Sequence, residues 1–191
     1  MLSHTFSKPF APGLKLGYTA MPQDLLHAVL QQKGNHDFGS SNVTQHMALE
    51  AFRDGSYHRH VEVLRHSYRA KRDATLSALR RSMPKDAALH WTHPHGGLYV
   101  WLALPEPIDT SRSGAMFSAC VDRGVLYVPG EYCFQPDEHG RAPQNHLRLS
   151  FGQVAPDQIE PGIERLGAVV ESLISNRKSK IANLKSPVGS P

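Results

Sequence analysis

One uninterrupted stretch, residues 57–82, constrains the fold most. It holds neither proline nor glycine, and Val61, Leu64, Tyr68, Leu76 and Leu79 recur mostly three or four residues apart. That spacing puts the apolar side chains on one face of an α-helix. At 1.5 Å per residue the helix runs about 40 Å, more than a small domain spans. Such a rod is a natural connector, with one folded body before it and another after it. Arg65, Arg69 and Arg72 line a different face, a pattern that suits a solvated surface first and a nucleic-acid backbone second.

The flanking segments differ in kind. Residues 3–15 are rich in Ser, Thr, Pro and Gly and are expected as loop. Leu16–Met21 reads as a short strand. Pro22 suits the first position of a helix that continues through QDLLHAVLQQ. Residues 34–42, GNHDFGSSN, read as loop, with Asn42 as N-cap of a helix that ends near Arg53, before Gly55.

After Pro84 the periodicity changes. LHWTH and LYVWLAL flank HPHGG and predict a hairpin. Residues 111–123 predict a helix stopped by Gly124. VLYV is expected as a short buried strand and residues 129–144 as loop. HLRLSF alternates, which puts Leu147 and Leu149 on one face of a strand. A last helix is expected from about Asp157 to Ile174. Residues 176–191 are basic and poor in apolar groups, so a disordered tail is expected there. The segments are thus 1–56, 57–82, 83–175 and 176–191, in a mixed α/β architecture.

With 191 residues and 40% hydrophobic content, the chain can bury the core of one domain or of one and a part. A net charge of +4 is too mild to imply a nucleic-acid partner. No apolar run reaches the length of a membrane span, and MLSHTFSKPF lacks the apolar centre of an export signal. A cytoplasmic protein is expected. Cys120 and Cys133 are too few for a disulfide framework and read as reduced thiols. Twelve histidines raise the question of metal. His58 and His60 stand two apart on a helix and do not face each other. His93 and His95 flank Pro94 with no acidic or thiol ligand nearby, so no metal site is expected.

Two groups of residues could carry chemistry. The first is Thr5-Phe6-Ser7-Lys8, followed by Ala11-Pro12-Gly13-Leu14-Lys15. Two hydroxyls flank a lysine, and a second cation follows a Pro-Gly turn. Hydroxyls, backbone N–H groups and a cation suit phosphate oxygens. The lysine could form an imine with an aldehyde. Read without further context, the same residues also fit an ordinary surface loop. The second group is Asn145-His146-Leu147-Arg148-Leu149-Ser150-Phe151. An arginine between leucines in a strand can clamp a carboxylate with its planar fork, or simply face solvent.

TFSKPFAPGLKLGY resembles the cofactor-lysine segment of fold-type I, pyridoxal-phosphate-dependent aminotransferases, nearest the 2-aminoadipate/kynurenine-like branch of class I/II. Four further segments resemble that family in its own order: HPHGGLYVWLALP, GVLYVPGEYCF, NHLRLSF and IEPGIERLGAVV. The resemblance runs from about Ser3 to about Val170. It implies the C-terminal piece of a large cofactor-binding domain in 1–56, an interdomain helix in 57–82, and a small α+β domain in 83–175.

By the same resemblance Lys8 matches the lysine that holds the cofactor aldehyde and moves the substrate proton. Thr5, Ser7 and Lys15 match cofactor-phosphate positions, with lysine at 15 where the family usually has arginine. Arg148 matches the arginine that binds the substrate carboxylate. Asn42 lies where such enzymes reach toward a neighbouring subunit. The implied activity moves an amino group between an L-amino acid and a 2-oxo acid, in a homodimer. Roughly the first half of such a fold is expected upstream of these residues, and the 191-residue chain alone is expected to be inactive. Another class remains open: an aminotransferase-like sensory domain fused to a winged-helix transcriptional regulator.

Overall fold

The computed structural model describes residues 1–85 and 88–185. The chain divides into two compact units, residues 1–67 and residues from Tyr68 onward, with the boundary inside one long helix.

In the first unit, β1 (Leu2–Thr5) pairs antiparallel with β2 (Gly17–Ala20), so that Thr5 lies opposite Gly17. Part of the segment expected as loop is therefore strand. Its residues are polar and exposed, so no alternation betrays it; the Ser3 and Thr19 hydroxyls meet at 3.2 Å across the pair. The approach is tight. A Cβ on Gly17 would lie 2.6 Å from the carbonyl oxygen of His4, which only glycine avoids.

Helix α1 (Gln23–Asp37) starts after Pro22 and runs through Asp37, further than its sequence suggests. Lys33 and Asp37 form an ion pair one turn apart, which supports that last turn. Phe38 ends it in the left-handed region at φ 51°. Helix α2 (Asn42–Arg53) follows. Its N-cap is Ser41, whose hydroxyl accepts from the Thr44 N–H at 3.5 Å; Asn42 is instead the first helical residue. Gly55, at φ 75°, separates α2 from α3 (Ser56–Ser82).

Aromatic side chains fill the centre of this unit. Phe6 is buried and packs edge-on against Phe52 at 5.8 Å and Tyr57 at 6.1 Å between centroids. Phe52 and Tyr57 lie 4.3 Å apart, and Phe10 meets Tyr57 at 5.7 Å. Rings on both sides of Lys8 thus fix its loop to α2 and the first turn of α3.

In the second unit, β3 (His90–Trp91), β4 (Tyr99–Ala103), β5 (Val128–Pro129) and β6 (His146–Ser150) form an antiparallel sheet in the order β3-β4-β6-β5. Val100, Leu102, Leu147 and Leu149 form one buried face. They share a core with Leu76 and Leu79 of α3, Met116, Phe117 and Cys120 of α4 (Ala115–Val121), and Ile163, Leu166 and Val170 of α5 (Pro156–Lys185). The expected alternation of Leu147 and Leu149 is present.

Three expectations shift in this unit. Helix α4 begins at Ala115 because Asp109 organises the residues before it: its carboxylate accepts from the Ser111 N–H at 2.7 Å. The strand expected over VLYV is reduced to Val128–Pro129, and Leu126 is exposed. Helix α5 continues to Lys185, so residues 176–185 are helical where a disordered tail was expected. NRKSKIANLK contains no glycine or proline, and its Lys, Ala and Leu favour helix. The remainder of that tail, 186–191, lies outside the described residues.

Candidate active site

Lys8 sits in the turn that follows β1, with an exposed side chain. The turn closes around one carbonyl: the N–H groups of Phe10 and Ala11 both donate to the oxygen of Phe6 at 3.0 Å. The Phe6 N–H donates to Leu16 at 3.0 Å and so extends the β1–β2 pairing beyond Thr5. Two hydroxyls converge beside Lys8. Thr5 Oγ1 donates to Ser7 Oγ at 3.0 Å and accepts from the Ser7 N–H at 3.1 Å.

Lys15 follows the short 3-10 turn Pro12–Leu14 and adopts a left-handed backbone at φ 49°. Such a conformation costs a non-glycine residue about 1 kcal/mol or more. Its N–H donates to Pro12 at 3.4 Å, and its side chain is exposed. Two converging hydroxyls, a primary amine and a second cation are a donor set that fits a phosphorylated aldehyde. Asn42 is exposed at the start of α2 in the same unit.

Arg148 stands on β6 in the second unit, on the face opposite Leu147 and Leu149. Its register partners are Trp101 on β4 and Val128 on β5. The guanidinium carbon lies 4.4 Å from the centre of the Tyr99 ring, a cation–π contact. Nε is buried and has no hydrogen-bond partner. Among the described residues no carboxylate pairs with Arg148. Trp101 stacks on His146 at 5.6 Å, and Phe134 meets both edge-on, at 5.6 Å and 5.1 Å. Burial pushes the His146 imidazole below its ordinary value. Burial thus disfavours its charged form on the strand that carries Arg148.

Lys8, Thr5, Ser7, Lys15 and Asn42 thus fall in one unit and Arg148 in the other. Sequence reasoning missed Tyr99. The only signal was its place two residues from Trp101 in LYVWLAL, which puts both rings on one face.

Other features have structural employment. Arg72 is not a free member of an arginine stripe: Nη1 donates to the His95 carbonyl at 3.0 Å, and Asp73 accepts from the same guanidinium. Cys120 and Cys133 are free thiols, and burial pushes Cys120 up to about 11. Among the described residues no group of three His, Cys, Asp or Glu could hold a metal ion, and no helix is long and apolar enough to cross a membrane.

Comparison with known proteins gives a consistent result. No family model matches the chain. An uncharacterized aminotransferase of Saccharolobus solfataricus is 36% identical over 171 residues, covering 90% of this chain and 40% of that protein. Aromatic-amino-acid aminotransferase 1 of Thermococcus litoralis is 35% identical over 167 residues, covering 87% and 38%. An uncharacterized HTH-type transcriptional regulator of Bacillus subtilis, YdfD, is 30% identical over 171 residues, covering 90% and 33%.

Among solved structures, the multiple substrate aminotransferase of Thermococcus profundus superposes with a TM-score of 0.82 at 33% identity, over 91% of this chain and 41% of that one. The kynurenine aminotransferase of Pyrococcus horikoshii, solved with PMP, gives 0.80 at 32%, over 89% and 40%. By sequence and by fold, the chain is similar over about nine-tenths of its length to aminotransferases, and it spans about two-fifths of the length of the relatives it matches.

Proposed function

We propose that this chain is the C-terminal part of an aminotransferase that moves an amino group between an L-amino acid and a 2-oxo acid, with pyridoxal phosphate held at Lys8. On this reading residues 1–56 complete a large domain, 57–82 connect, and 83–175 form the small domain, within a homodimer. The observation that carries it is the Lys8 turn, where an exposed lysine follows two hydroxyls already 3.0 Å apart. When bound, the cofactor would supply a reactive aldehyde and an electron-accepting ring.

The protein groups then have separate tasks. The Thr5 and Ser7 hydroxyls donate to phosphate oxygens, and Lys15 balances their charge. As a point charge, Lys15 lacks the fork that the family's usual arginine would give. Lys8 would hold the cofactor through its side-chain amine and would be the base that takes the substrate Cα proton and returns it. Arg148 fixes the substrate carboxylate and so the direction of the Cα–H bond. Asn42 reaches toward the neighbouring subunit's site. Because the first product leaves before the second substrate binds, double-reciprocal plots should be parallel.

The test is made on protein isolated from its source. Borohydride reduction followed by peptide mapping should find a pyridoxyl group on Lys8. Lys8→Ala should lose both the adduct and all turnover. An adduct on another lysine, or full turnover in the variant, removes Lys8 from the role. A second reading is favoured by the similarity to transcriptional regulators: a cofactor-loaded sensory domain without turnover. An adduct on Lys8 with no amino transfer to any 2-oxo acid would select it. The enzyme is preferred because the sequence carries both a lysine at position 8 and an arginine at position 148, and because the aminotransferases at 36% and 35% identity exceed the regulator at 30%.

A further inference from the structure

We propose that Tyr99 is a positioning residue for Arg148: its ring face carries the guanidinium and sets the direction in which the N–H edge meets a carboxylate. This rests on the assignment of Arg148 to the substrate carboxylate. An arginine on an open sheet face has several rotatable bonds and little reason to hold one direction. Here the guanidinium carbon lies 4.4 Å from the Tyr99 centroid, well within cation–π range. Its other aromatic neighbour is occupied. Trp101, directly across from Arg148, is packed against His146 and Phe134.

Nor does a hydrogen bond at Nε hold the group, since that atom is buried without a partner. The kind of support matters. An acidic residue at position 99 would also steady the guanidinium, but it would occupy the N–H edge and cancel the charge. A neutral ring attracts the cation through its face and leaves the edge and the charge for a ligand. The Trp101, Phe134 and His146 rings pack against one another and place no carboxylate beside the guanidinium.

The test uses the native-length, cofactor-loaded protein and an unreactive probe, 4-methylpentanoate, a carboxylate with no amine. Its Kd is measured by calorimetry. Tyr99→Leu and Tyr99→Val should each weaken binding about five- to thirtyfold, and Tyr99→Phe should restore it to within about threefold. Two ring-less variants guard against one failing to fold. In an Arg148→Gln background, Tyr99→Leu should have no further effect, because Tyr99 acts through the arginine. Unchanged affinity in both ring-less variants would overturn the proposal, as would an equal loss with and without Arg148, which would mean that Tyr99 touches the ligand itself. If the wild type does not bind the probe, or Arg148→Gln binds it equally well, the carboxylate assignment fails and the role of Tyr99 fails with it. A result confined to the Tyr99 variants leaves the Arg148 assignment standing.

Discussion

Arg148 keeps its charge beside a ring where a carboxylate partner would ordinarily sit. For a carboxylate substrate this makes the planar fork the essential property, beyond positive charge. Arg148→Lys should therefore keep some activity but weaken amino-acid binding by about 1.5–3 kcal/mol, the worth of a lost charged hydrogen bond. Steady-state kinetics should show this mainly as a raised KM for both amino acid and oxo acid. An unchanged KM would remove Arg148 from the site. At this scale the sequence was most legible where chemistry is local. Lys8 stands within three residues of both hydroxyls, so a short motif exposed the group. Tyr99 and Arg148 are far apart in the chain, and only the β4–β6 register brings them together. Ser41 displaced Asn42 as N-cap because both are competent caps, and one residue of helical phase decides between them.

Among the elements, periodicity was the reliable guide. Helix α3 was plain from its apolar spacing, and the faces of β4 and β6 from their alternation. β1 was not, because a short strand with every residue exposed has no buried face to reveal it. The far end of α5 was not, because its basic composition resembles a tail while its residues favour helix. Close packing between helices was also invisible. A Cβ on Gly167 of α5 would stand 2.2 Å from the carbonyl oxygen of Ser82 at the end of α3. Backbone cannot yield as a flexible side chain does. Gly167→Ala should lower stability by about 1–3 kcal/mol, despite alanine's better helix propensity. Urea denaturation would measure this, and an equal or higher midpoint would show that the helices separate at little cost.

Taken whole, the molecule presents much apolar surface. No side chain of α1 is buried; Leu25, Leu26, Val29 and Leu30 are exposed along it, and Phe38 is 95% exposed at its end. The chain spans only about two-fifths of the length of the relatives it matches. The 191-residue chain on its own should therefore self-associate and show no transamination. Light scattering and a coupled amino-transfer assay would check both. A monodisperse, active preparation would show that these residues suffice.

Gly17 has a consequence for variation as well as for folding. It lies opposite Thr5, at the base of the loop that carries Lys8, and backbone occupies the space where its side chain would stand. Every single-base change that removes a glycine codon and still encodes an amino acid adds a Cβ. The position therefore has no permissive neighbour in the genetic code. An inventory of tolerated substitutions would mark Gly17 as intolerant beside Lys8, for a steric reason alone.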